Sequence, residues 1–73
     1  MYIIKEVDNE IFYLSRDGQF YNTNINAKEY IFETEEERNN FIENNKNIII
    51  EKYGDIKFHN ITKYICLGYC KKL

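Results

Sequence analysis

The side chains best suited to nucleophilic or acid–base chemistry are few: His59, Ser15, Cys66 and Cys70. A thiol–imidazole pair needs the two groups within hydrogen-bond reach. Nothing in the local sequence sets Cys66 or Cys70 beside His59, because no glycine-rich elbow and no orienting acid stands near them. The plainer reading is a surface histidine and two half-buried thiols acting as small hydrophobes. Tetrahedral zinc asks for four ligands, and a C-x-x-x-C spacing with one distant histidine supplies three. Asp8, Asp17 and Asp55 all stand at turn positions, where a carboxylate bonds its own backbone. Glu35, Glu36 and Glu37 fall on different sides of one helical turn and make no catalytic pair. Three glycines are too few for a phosphate-cradling loop. No catalytic, cofactor-binding or metal-ligating residue is expected, and the chain reads as non-enzymatic.

Positioning any surface of this chain falls to a small scaffold. Seventy-three residues make one domain, expected to span 1–73. With 44% hydrophobic and 16% aromatic residues, the chain is too rich in large apolar groups for a disordered tail. Tyr2 to Val7 reads as a first strand, closed by the turn-prone pair Asp8-Asn9. Ile11 to Arg16 is the second strand. Asp17-Gly18 follows as a two-residue hairpin signal, pairing Arg16 with Gln19, Ser15 with Phe20 and Leu14 with Tyr21. That register puts Phe12, Leu14 and Tyr21 on one face. A polar loop over 22–26 leads to a fourth strand from Ala27 to Phe32.

Thr34 and Glu37 then fit a capping box opening a helix from about Glu35 to Asn44. Three carboxylates in its first turn suit the positive end of the helix dipole. Its apolar stripe is narrow: Phe41 and Ile42, with the stem of Arg38. Asn44 to Asn47 ends it. Ile48-Ile49-Ile50 is β-branched and continuous, so a strand to Tyr53 is expected. Gly54-Asp55 makes a second two-residue turn, setting Tyr53 against Ile56, Lys52 against Lys57, Glu51 against Phe58 and Ile50 against His59. From Ile61 to Tyr69 both helical and strand stripes fit, and the residue types favour a strand. The expected order is β-β-β-β-α-β-β-β. The fold class is α+β: a small antiparallel sheet, meander plus C-terminal hairpin, packed against one short helix.

Charge is uneven. Residues 1–45 hold ten acidic and four basic side chains, while residues 46–73 hold six lysines against Glu51 and Asp55. Two surfaces follow. An acidic ridge of Glu29, Glu33, Glu36, Glu37 and Glu43, joined by Glu35, presents carboxylates to a basic partner, including a nucleic-acid-binding protein whose phosphate ligand such a ridge imitates. The alternative is nucleic-acid binding by Lys52, Tyr53, Lys57, Lys63 and Tyr64, whose rings stack on bases and whose lysines release counterions. A tyrosine-bearing sheet edge also offers a route to a homodimer. The first residues lack the basic start and apolar run of a leader, and no stretch approaches the roughly 20 apolar residues of a membrane span. A cytoplasmic location with reduced thiols is expected. On a strand Cys66 and Cys70 would lie ~13 Å apart, too far to bridge.

The run Tyr30–Asn44 resembles a pattern of short accessory proteins from phages and mobile elements, where a strand ending in Phe leads through Thr-Glu-Glu into a helix carrying Phe-Ile. Arg38 stands where alanine is expected in that pattern. The likeness covers about a fifth of the chain and implies a meander, one helix and further strands. It transfers no active-site residue. It also implies a protein that binds and blocks a host factor, as anti-CRISPR and other anti-defence inhibitors do.

Overall fold

Two residues with left-handed backbones join the first two strands. Asp8 and Asn9 stand at φ 52° and 63°, the pattern of a type I′ turn. They close β1 (Tyr2–Val7) on β2 (Glu10–Leu14), with Val7 opposite Glu10. The computed structural model describes residues 1–60 and 71–73. β3 (Phe20–Tyr21) pairs with β2, and β4 (Lys57–His59) pairs with the other side of β1. All pairings are antiparallel, and the order across the sheet is β3-β2-β1-β4. One helix, α1 (Glu35–Tyr53), completes the expected α+β fold.

β1 is central, so successive side chains feed two cores. Ile3 joins Phe12, Leu14 and Phe20 on one face, where Tyr30, Ile49, Tyr53, Ile56 and Phe58 pack on them. Tyr2 and Ile4 join Tyr13 and Ala27 on the other. The Tyr2 and Tyr13 rings meet edge to face at 5.6 Å. Fully burying one such side chain is worth about 1.5–3 kcal/mol. The two ion pairs among the described residues, Lys57 with Glu6 and Lys71 with Glu10, lie at the surface, where such pairs contribute roughly 0–1 kcal/mol. The cores therefore hold the fold.

The structure corrects the local expectations at three places. The 15–19 hairpin turns over three residues: Ser15 N donates to Gln19 O at 2.8 Å, and Gly18, at φ 85°, donates to Ser15 O. Leu14 therefore faces Phe20, and Tyr13 faces Tyr21. A slip of one residue exchanges faces, so Phe20 rather than Tyr21 joins Phe12 and Leu14. Residues 27–32 form no full strand. Ala27 bridges Ser15, Lys28 N donates to Leu14 O, and Tyr30 exchanges backbone bonds with Met1.

The third correction is the largest. Ile48 to Tyr53 continues α1 and forms no strand, so the hairpin pairing Tyr53 with Ile56 and Lys52 with Lys57 is absent. Ile49 and Tyr53 meet the sheet core from the helix, and that packing outweighs the β preference of three isoleucines. Gly54 ends the helix, its N–H donating to Ile50 O at 2.8 Å. The strand expected over 61–69, with Cys66 and Cys70, lies outside the described residues. No helix among those described is long and apolar enough to cross a membrane.

Gly54 stands at φ 83° and ψ −151°, a region that is essentially glycine-only. An added Cβ would meet only Lys5 Nζ, at 3.8 Å, so the cost of Gly54→Ala is backbone strain and not collision. The expected loss is about 1–3 kcal/mol of unfolding free energy in urea, with no change in the slope against denaturant.

Candidate functional site

The acidic ridge begins at Glu29, in the segment that bonds Met1 through Tyr30 and leads into α1. Thr34 caps the helix: Glu37 N donates to its Oγ1 at 3.1 Å. Glu37 Oε2 reaches back to Glu33 N at 3.2 Å, one residue earlier than a standard capping box would place it. Phe41, about one turn beyond Glu37, packs against Tyr30 and Phe32, with ring centroids 5.1 and 5.3 Å away. This aromatic trio fixes the angle between residues 29–33 and α1.

Between them lies a cleft of about 430 Å³. Glu29, Glu33 and Glu35 stand on its walls with Thr34, and Met1, Arg38 and Asn60 line it from the other elements. Its volume falls in the range that accommodates ligands or anchoring side chains. Arg38 is held in place, Nε donating to Asn60 Oδ1 at 3.1 Å and an Nη to Asn39 Oδ1 at 3.5 Å. The Met1 amino group donates to Tyr30 O at 2.8 Å. Burial lowers its pKa, Glu29 partly restores it, and Arg38 lowers it further. Ile31, at the rim, is 82% exposed, far more than an isoleucine needs to be beside two partly covered aromatic rings.

The expected ridge is thus only partly one surface. Glu29 and Glu33 line the cleft, with Glu35. Glu37 is engaged in capping, and Glu36 and Glu43 are exposed on the helix outside the cleft. Met1, Arg38 and Asn60 were not foreseen as part of a site. Only the fold brings them together, since Met1 bonds Tyr30 and Asn60 directly follows β4, which pairs with β1. The lysine–tyrosine set is dispersed: Tyr53 turns its ring edge to Phe20 at 5.7 Å, Lys52 lies 5.3 Å over the Tyr53 ring, and Lys57 reaches Glu6 at 3.2 Å. Lys63 and Tyr64 lie outside the described residues. Among the described residues no group of three or more metal-ligating side chains occurs. His59 lies opposite Tyr2, its Nδ1 buried with no partner among them.

The cap carries the geometry of the cleft, so Thr34→Ala is expected to cost about 1 kcal/mol. In a domain of this size that is about 4–8 °C in Tm, readable by circular dichroism. Comparison with protein-family models, curated proteins and solved structures finds no match for this chain.

Proposed function

We propose that this chain is a non-enzymatic interaction module, acting in the cytoplasm, that docks a basic segment of another protein against residues 29–38. The observation that supports this most is Ile31, 82% exposed at the lip of a cleft walled by Glu29, Glu33 and Glu35. An exposed apolar anchor beside a polar rim that carries three carboxylates is the anatomy of a protein interface. Five carboxylates stand over residues 28–38 against Lys28 and Arg38, and such a field speeds encounter with a basic partner. A nucleic-acid-binding host factor fits this chemistry, inhibited by occupation of its basic surface. The likeness of Tyr30–Asn44 to phage and mobile-element accessory proteins points to the same kind of partner.

The nucleic-acid alternative draws less support, because Lys52, Tyr53 and Lys57 are engaged in contacts within the molecule. Self-association is a further reading, since β4 is an outer strand of the sheet.

The test is capture of a basic protein from host lysate on the immobilised chain, repeated with the triple variant Glu29→Lys/Glu33→Lys/Glu35→Lys and with Ile31→Asp. The expected result is one retained partner, eluted by salt and lost in both variants while their circular dichroism stays native. Retention unchanged by both variants overturns the assignment of this face. Binding of duplex or single-stranded nucleic acid that Lys57→Glu abolishes favours the alternative, and dimers in sedimentation favour the edge.

A further inference from the structure

A second cavity, about 230 Å³, opens beside the turn that joins β2 to β3, lined by Ser15, Asp17, Tyr21, Thr23 and Asn26. Its walls differ in kind from the first cleft, because the Tyr21 and Ser15 hydroxyl protons there are already spent. Tyr21 Oη donates to Asp17 Oδ2 at 2.6 Å, and Ser15 Oγ donates to Asn26 O at 3.1 Å. Thr23 Oγ1 accepts from Ile25 N at 3.4 Å. Asp17 Oδ1 accepts from Gln19 N at 2.8 Å, which leaves the carboxylate with lone pairs to spare. What the Asp17 carboxylate offers a visitor is acceptors.

Among the described residues, the one charged side chain on the walls is Asp17, an anion. Hydrogen bonding from Tyr21, and then from the Gln19 N–H, holds the Asp17 carboxyl below its ordinary range, with Lys72 adding to the effect. Asp17 is therefore an anion through the neutral range, and Lys72 does not line the cavity. The Tyr21 hydroxyl bond also fixes an aromatic ring beside that anion. Across β2–β3, the hydroxyl of Tyr13, the partner of Tyr21, is buried without a partner among the described residues.

We propose that this cavity binds a small organic cation through the N–H donors of a guanidinium or primary ammonium group. Acceptors with a fixed carboxylate suit charge-assisted N–H donors, and a ring beside them adds cation–π attraction. Size separates this from a bare ion. At roughly 30 Å³ per water, the cavity holds a group of several heavy atoms and is too wide to coordinate one desolvated metal ion. The same chemistry is carried by a free amine or guanidine and by an arginine side chain of another protein. The site is independent of the 29–38 cleft.

The experiment titrates the protein with methylguanidinium chloride, following backbone amides by ¹H–¹⁵N NMR. Tetramethylammonium chloride supplies the same charge with no N–H donor, and the capped peptide acetyl-Gly-Arg-Gly-amide supplies the protein-borne source. Saturable shifts confined to Gln19, Tyr21, Thr23 and Asn26 are expected, with a dissociation constant on the order of 10 mM for so small a ligand. Tetramethylammonium should bind at least about tenfold more weakly, and Asp17→Asn should weaken methylguanidinium at least about fivefold. The triple lysine variant of Glu29, Glu33 and Glu35 should leave it unchanged. Tighter binding of the peptide assigns the site to a partner's arginine, and equal binding assigns it to a free cation. Absence of saturation to 100 mM (about ten times the expected constant), or equal response to tetramethylammonium, overturns the proposal. If Asp17→Asn loses native peak dispersion, the comparison of the two cations on the unaltered protein still decides.

Discussion

β1 is buried on both faces. Ile3 and Ile4 are 1% and 0% exposed, so neighbouring residues of one strand each demand cover from a different layer. A sheet of four short strands cannot meet that demand alone. The long connection after β3 contributes on the Tyr2–Tyr13 side, through Ala27. On the other side the cover comes from α1 and from the 54–58 segment that brings the chain back to β4. The crossover from the β3 edge to the β4 edge follows from this: residues 22–56 must travel around the sheet, and they shield it as they go.

That route also explains why acidic residues gather where they do. The helix must start at the β1 end of the sheet, beside Tyr30 and Met1, and its unpaired N–H groups need acceptors there. Thr34 and Glu37 meet part of that need internally. Glu29, Glu33 and Glu35 are not consumed by it, and they surround a cleft with an isoleucine at its lip. A stabilising device and a recognition surface therefore share one segment, and the two roles fall to different carboxylates within it.

What could be read from residue order was local. Thr34 and Glu37 stand three apart and announce a helix start, and Asp8-Asn9 announces a tight turn, because both signals are complete within a few residues. The 15–19 turn was legible as a hairpin but not in its register. Its register depends on Phe20 finding Ile3 and Phe12, which no local pattern records. The three isoleucines at 48–50 mislead for the same reason: ordinary helix preferences differ by at most about 0.7 kcal/mol per residue, less than the burial gained when Ile49 and Tyr53 reach the sheet. Of the cleft, Glu29 and Glu33 were visible in sequence. Met1 and Asn60 join it from 59 positions apart in sequence, and only the β1–β4 pairing makes them neighbours.

No residue of α1 is fully buried. It rests by part of one side on the sheet core, through Ile49 and Tyr53, and on the 30–32 segment, through Phe41. Undocking it uncovers less apolar surface than parting β1 from β2, so amides of α1 should exchange with solvent through partial openings while those of β1 wait for global unfolding. Whatever grips residues 29–38 also grips the first turn of that helix. By linkage, each such contact holds α1 shut more firmly, and the order of the helix becomes a readout of whether the face is occupied.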